Sequence, residues 1–269
     1  VGFKLILLSM AEAKKDCPQT YVITGASSGL GLEMVKQLAA RGDKVFATCR
    51  KKASSLTGVD AISDVAGDVT IVEGVDVTDD NVGDVLTKAL AGVTIDVLVH
   101  NAGSLNGTRE VPGDQLFAEQ EFTKISMDRM RSAFEVNTLG PLRVQQALHK
   151  QMKSPGGKVG VISTGFASIG DNGSGGKYAY RTSKAAVNMV TKSLSCDLKK
   201  EGISAVAIAP GFVVTEFGPG SETMAKFGAR PVDQAVEGII SILDSLTLDN
   251  TGSFLVVPTS GGEVKPMAW

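Results

Sequence analysis

The sequence predicts a doubly wound α/β domain, and three observations carry that expectation. Short β-branched runs alternate with longer stretches of helical period from Tyr21 onward, the pattern of repeated β-α units around a parallel sheet. Glycine- and serine-rich segments fall at the ends of the apolar runs, where the ligand-binding loops of open sheets gather. No stretch has the composition of an interdomain linker, and 269 residues fit one large α/β domain.

In chain order, seven strands are expected, at Tyr21–Thr24, Lys44–Thr48, Val69–Val75, Ile95–Val99, Lys158–Ser163, Ser204–Ala209 and Ser253–Val257. Helical periods fill Gly29–Arg41, Val82–Ala91, Met127–Met152, Ala179–Glu201 and Pro231–Leu246. The result is a Rossmann-type, single-domain parallel seven-stranded sheet with helices on both faces. It is expected to occupy residues 20–258, between an N-terminal extension (1–19) and a C-terminal tail (259–269). Val1 to Ser9 reads as a disordered or added leader, with Met10 as the natural start.

Composition narrows the function. The chain is 43% hydrophobic and 21% charged with a net charge of −2, so it can bury a substantial core but has no basic excess for nucleic acid. The apolar run Leu5 to Leu8 is far short of the roughly 20 residues that cross a bilayer. Cys17, Cys49 and Cys196 are odd in number and widely spaced, which suits a reducing cytoplasm rather than a disulfide framework. His100 and His149 lie far apart, so neither a histidine metal site nor a Ser-His-Asp hydrolase is expected. No metal is expected at all.

The chemistry begins at Tyr21-Val-Ile-Thr-Gly25-Ala-Ser27-Ser28-Gly29-Leu30-Gly31, where a buried strand enters a helix through three glycines. Glycines let backbone approach a pyrophosphate closely, and the helix N-terminus offers free N–H groups and the positive end of a dipole. A glycine-rich turn without a ligand is the alternative. The spacing Gly-x-x-x-Gly-x-Gly differs from the Gly-x-Gly-x-x-Gly dinucleotide fingerprint.

With Thr24 before it, this loop is similar to that of the short-chain dehydrogenase/reductase family. Asn101-Ala102-Gly103 after the fourth strand, Tyr180-x-x-x-Lys184, and Pro210-Gly211 after the sixth strand resemble that family's other motifs, in its order and over about residues 20–258. Each motif is weak alone, and together they are specific. Gly170 to Lys184 further resembles the subgroup of the C-factor signalling protein and sniffer-like carbonyl reductases. The resemblance implies a dinucleotide cofactor held by the glycine loop, by Asn101, Ala102 and Gly103, and by Pro210, Gly211, Val213 and Thr215. Asp76 and Val77 would contact adenine, unless Asp76 is simply an exposed turn residue. The second strand ends Thr48-Cys49-Arg50, with cysteine where an NAD-preferring relative carries an acid. Arg50 suits a 2′-phosphate, and NADPH/NADP+ is the expected cofactor. A solvated basic loop is the competing explanation for Arg50.

Tyr180 and Lys184 are four residues apart, so on a helix they share a face. A free tyrosine, with a pKa of about 10, is a poor proton relay, and a nearby ammonium should favour its phenolate. As an isolated pair they would more often be a packed ring and a lysine reaching for water. By resemblance Tyr180 donates a proton to a carbonyl oxygen, while Lys184 tunes it and holds the ribose. The family's second serine at the end of the fifth strand aligns with Thr164. Strand alternation turns Ser163 to the other face and leaves it as the fallback. Asn137 matches the asparagine that holds a water beside the lysine, although a helix asparagine also bonds locally. The implied function is reversible, NADPH-dependent reduction of a small-molecule carbonyl. A dinucleotide-binding signalling protein is the alternative from another class. A sugar-nucleotide epimerase would need a C-terminal substrate domain for which the sequence leaves no room.

Loops at Ser104–Ser126 and Ile169–Lys177 should border the substrate pocket, and Gly218–Arg230 reads as a lid with apolar side chains from Phe217, Met224 and Phe227. The stripe Ala186, Val190, Leu194 and Leu198 would serve a homodimer or a monomer's own core.

Overall fold

The computed structural model describes residues 17–51, 62–105, 122–215, 217, 221–258 and 262–269. The N-terminal leader, most of the Ser104–Ser126 loop and the first part of the expected lid lie outside them. Strand β1 (Thr20–Ile23) leads through the glycine loop into helix α1 (Gly29–Arg41), followed by β2 (Lys44–Thr48), β3 (Val69–Val72), α2 (Val82–Ala89) and β4 (Val97–His100). Helix α3 (Met127–Phe134) passes through one π-helical stretch, Glu135–Leu139, into α4 (Gly140–Leu148). Then come β5 (Lys158–Ile162), α5 (Tyr178–Leu198), β6 (Ser204–Ala209), α6 (Ser221–Lys226), α7 (Val232–Asp244), β7 (Phe254–Val256) and β8 (Lys265–Pro266).

The strands form one sheet in the order β3-β2-β1-β4-β5-β6-β7-β8, parallel except for β8. The order reverses between β1 and β4, whose register pairs Tyr21 with Val97 and Ile23 with Val99. Such a reversal opens a crevice beyond the carboxyl ends of the strands, where ligands bind. Central strands are apolar nearly throughout because both faces are covered; all six residues of β6 are buried. Alternation along β1 sends Tyr21 and Ile23 into a core shared with α1 and α7, and Val22 into a second core with α4 and α5. Helix α1 stops at Gly42, whose left-handed φ of 93° lets its N–H bond back to Ala39 O at 3.0 Å.

Three elements differ from expectation. The long helix 127–152 is interrupted by the π stretch and ends in a 3-10 turn, His149–Gln151. Ile95 makes only an isolated bridge with Met152, so β4 starts two residues later than its apolar run. Within the segment read as a tail, β8 pairs antiparallel with β7, and the Trp269 ring stacks on Phe254 at 5.5 Å. Leu198 and Leu194 of the apolar stripe pack into the chain's own second core. Among the described residues no helix is long and apolar enough to cross a membrane.

Candidate active site

The glycine loop is held from behind by the Asn-Ala-Gly motif. Thr24 Oγ1 accepts from the N–H of Asn101 at 3.0 Å and of Ala102 at 3.1 Å, while Asn101 Nδ2 donates to the carbonyls of Thr24 and Gly25 at 3.0 Å each. Gly25 has φ +66°, and a Cβ there would lie 2.9 Å from Ala102 Cα. A Cβ on Gly31 would collide with the Gly25 carbonyl and stand 2.6 Å from Asn101 Nδ2. Two of the three glycines are therefore demanded by backbone packing. Ser28 is extended and gives α1 no side-chain cap, and the first turn of α1 carries no acid. Ser27, Ser28 and Leu30 flank this N-terminus, whose dipole and N–H groups meet no opposing carboxylate in the first turn, a fit for a pyrophosphate.

At the end of β2, Cys49 is buried and its thiol donates to Lys51 O at 3.1 Å; burial raises its pKa, so it stays a neutral thiol. Arg50 beside it is exposed. Asp76 Oδ1 accepts from the N–H and the hydroxyl of Thr78 at 3.0 and 2.8 Å, which shapes the turn after β3. Val77 is a core residue pressed against Gly140, where a Cβ would lie 2.8 Å away. Its side chain serves packing, leaving only its backbone to face a ligand.

Tyr180 sits in the first turn of α5, just after Lys177, which takes a left-handed φ of 50°. The ring is buried at 8% exposure, with Phe217 5.9 Å away between ring centroids. Thr164 lies beside the Tyr180 hydroxyl, close enough for its own hydroxyl to favour the phenolate. Ser163 Oγ instead donates to Asn188 Oδ1 at 2.6 Å on the other side of the strand, as alternation requires. Lys184 is 4% exposed, and its Nζ donates to Ile162 O at 2.7 Å rather than reaching for water. Gly103 brings the neighbourhood together, since a Cβ on it would lie 3.3 Å from Asn137 Oδ1 and 3.5 Å from Lys184 Nζ.

Asn137 lies inside the π stretch, a distortion that recurs at functional sites. Its side chain makes no local backbone bond. Nδ2 donates to Ser104 O at 2.7 Å and Ser183 Oγ at 2.9 Å, and Oδ1 accepts from Ser104 N–H at 2.8 Å. It thus ties the loop after β4 to α5.

The expected tuning of Tyr180 by the ammonium requires correction. Burial dominates and pushes the phenol up to about 12, with the neighbouring Thr164 hydroxyl opposing it. The ammonium gives one of its hydrogens to the Ile162 carbonyl, and burial brings Lys184 down to about 8. Desolvation disfavours both charged forms, so each group is held closer to neutral than in water.

Past β6, Pro210 leads to Gly211 at φ +85°, close against the Arg230 guanidinium. Val213 is buried and bridges to Arg230, with Val214 N–H donating to Arg230 O at 2.9 Å. A Cβ on Gly29 would lie 3.6 Å from Thr215, so this segment reaches across to the glycine loop. Thr215 Oγ1 accepts from Phe217 N–H at 3.2 Å. In the expected lid Met224 is a buried anchor and Phe227 is exposed. Both histidines have protein partners: buried His100 pairs with Gln145 at 3.2 Å, and His149 with Glu201 at 3.3 Å.

Sequence reasoning overlooked Arg181, Arg230 and Ser104. Arg181 was within reach, because it shares a helical face with Lys184 and Asn188 and all three are buried.

A crevice at the sheet's switch point, closed by a glycine loop and carrying a buried tyrosine-lysine pair, defines a dinucleotide-dependent oxidoreductase. The chain belongs to the short chain dehydrogenase family, whose model matches residues 19–225. It is 33% identical over 240 residues to a 1-hydroxy-2-glutathionyl-2-methyl-3-butene dehydrogenase of Rhodococcus sp., covering 87% of this chain and 95% of that protein. Over 60% of its length it is 34% identical to the C-signal protein of Myxococcus xanthus, covering 87% of that protein. Among solved structures it resembles the NADPH-bound carbonyl reductase from chicken fatty liver, with a TM-score of 0.74 and 27% identity over 94% of this chain and 99% of that one. Carbonyl reductase Sniffer of D. melanogaster, at 23% identity and a TM-score of 0.75, covers 94% and 100% respectively and shares the fold.

Proposed function

We propose that this protein reversibly reduces a ketone or aldehyde to the alcohol with NADPH. The observation that supports this reading is buried Tyr180 on the first turn of α5 beside Thr164, with buried Lys184 one turn on and bonded to the end of β5. The glycine loop would take the pyrophosphate and Arg50 the 2′-phosphate. Asp76 and the Val77 backbone would take the adenine. Asn101, Ala102 and Gly103 would line the cleft, with Pro210, Gly211, Val213 and Thr215 beside the nicotinamide amide. The chicken liver relative, which is NADPH-bound, supports the same choice.

A substrate carbonyl oxygen entering between the two hydroxyls would receive a hydrogen bond from each. Bound NADPH supplies the hydride. As negative charge develops on the oxygen, Thr164 stabilises it and Tyr180 transfers its proton, which completes the alcohol. A phenol pushed up to about 12 stays fully protonated at neutral pH, the form that reduction requires. Lys184, brought down to about 8, holds a proton it can release near neutrality to restore Tyr180, besides holding the ribose. Asn137 keeps Ser104 and Ser183 in place around that lysine and, by family resemblance, positions a water beside it.

The test is a panel of ketones and aldehydes with NADPH, run on wild type and Tyr180→Phe. The variant should lose about 100- to 10,000-fold in turnover and keep its NADPH affinity. Near-normal reduction by Tyr180→Phe overturns the mechanism. The likeness to C-signal favours a second reading, a cofactor-bound signalling protein. Wild type that binds NADPH yet turns over no carbonyl or alcohol selects it.

A further inference from the structure

Arg181 directly follows the proposed proton donor and takes no part in the steps above. Its side chain is 8% exposed, and its charge is met by oxygens and a ring face. Nε donates to Gly175 O at 3.1 Å, Nη1 to Phe166 O at 3.3 Å, and Nη2 to Ser174 Oγ at 2.6 Å. The guanidinium carbon stands 4.7 Å from the centre of the Phe166 ring, which also receives Lys177 Nζ at 4.7 Å. One side chain thus ties both ends of the loop between β5 and α5 to the catalytic helix.

The loop opens with a 3-10 turn, Gly165–Ala167, anchored by buried Ala167 and Ser168. Beyond it residues 169–175 are exposed, and Gly175 and Gly176 have positive φ. Apart from Arg181, this stretch is tied to the rest of the chain through the N–H groups of Ile169 and Gly170, donated to Trp269 O at 3.0 and 3.1 Å; bonds such as Asp171 N–H to Ser168 Oγ and Gly175 N–H to Asn172 Oδ1 stay within the loop. The tie matters for chemistry because Phe166 N–H donates to Thr164 Oγ1 at 3.3 Å. With that oxygen accepting from Phe166, the hydroxyl's single hydrogen is free to point at Tyr180 or at a substrate oxygen.

We propose that Arg181 is a positioning residue for carbonyl reduction: it clamps Phe166, and Phe166 fixes the Thr164 hydroxyl in its donor orientation. A planar fork that donates in three directions while stacking on a ring does this, and a lysine ammonium does not. The inference rests on the roles given above to Thr164 and Tyr180.

The test uses the full chain with Arg181→Gln, Thr164→Ala and the double variant. Arg181→Gln should lower kcat on the order of 10- to 100-fold and leave NADPH affinity unchanged, since it displaces one donor by a fraction of an ångström to an ångström. In the Thr164→Ala background the same change should cost almost nothing more, because the hydroxyl it orients is gone. Arg181→Gln should also move the rise of alcohol oxidation to higher pH, since loosening the Phe166 bond misdirects the Thr164 hydroxyl that favours the Tyr180 phenolate. An equal loss of kcat in both backgrounds, or an unshifted pH profile, overturns the proposal. If Arg181→Gln does not fold, Phe166→Leu removes the ring and keeps both backbone bonds; it should give a smaller loss with the same non-additivity, and additivity there is equally fatal. Should Thr164→Ala alone keep wild-type turnover, the proposed function is at fault and the role of Arg181 falls with it.

Discussion

Replacing Gly25 by alanine separates two costs that the glycine loop avoids. The first is conformational: at φ +66° a Cβ crowds the following carbonyl, which costs about 1–2 kcal/mol. The second is steric, because the new carbon would stand 2.9 Å from Ala102 Cα, and backbone on one side must move by roughly half an ångström or more. Overpacking of this kind costs about 1–3 kcal/mol. Gly74 provides the reference, since its φ is +72° and a Cβ there meets nothing within 4 Å. Urea denaturation should therefore show Gly25→Ala losing about 2–5 kcal/mol and Gly74→Ala only about 1–2 kcal/mol. The displaced loop should also lose at least one charge-assisted hydrogen bond to the pyrophosphate, worth about 1.5–3 kcal/mol, or roughly 10- to 100-fold in NADPH affinity. Fluorescence titration of NADPH reads this directly. Equal destabilisation by the two variants, with NADPH binding intact in both, would refute the claim that Ala102 and the glycine loop are packed against each other to receive a cofactor.

Arg50→Ala should weaken NADPH binding and leave NADH binding nearly unchanged, narrowing the preference between them; a wild-type affinity ratio in the variant removes Arg50 from the phosphate site. Buried His100, brought down to about 4 from an ordinary 6.5, stays neutral while the unfolded chain takes up a proton. Stability should accordingly fall as pH drops from 6.5 to 4, by up to about 3 kcal/mol from this group at 1.36 kcal/mol per pKa unit. Denaturation curves of His100→Gln should lack that component, and an unchanged pH slope in the variant assigns acid sensitivity elsewhere.

Much of this was legible in the sequence, for identifiable reasons. Strands buried on both faces, such as Ser204–Ala209, read as unbroken apolar runs, and helix α1 was bracketed by a glycine loop at one end and Gly42 at the other. That Ser163 would turn away from Thr164, to bond Asn188, followed from strand alternation; the choice of Thr164 for the site rested on the family resemblance. What escaped had no local signature. A π stretch keeps nearly the same periodicity as the helix around it, so the interruption at Asn137 was invisible. Lys-Pro is not a strand-forming pair, and β8 exists because β7 and Phe254 stand ready to receive it. The protonation of Tyr180 depends on how deeply the ring is buried and on where Lys184 sends its proton, and spacing reports neither.

The short strand β8 has a consequence for how these molecules meet one another. A sheet ending at β7 would offer unpaired N–H and C=O groups along Phe254–Val256, a template on which a neighbour's strand could add. Met267 N–H already donates to Phe254 O at 2.7 Å, while Lys265 and Pro266 stand opposite Val256 and Leu255. The new border is two residues long, carries a charge, and includes a proline that has no hydrogen to give. On this side the sheet is finished off by residues that make a poor invitation, so further growth of the ladder from one molecule into the next stops here.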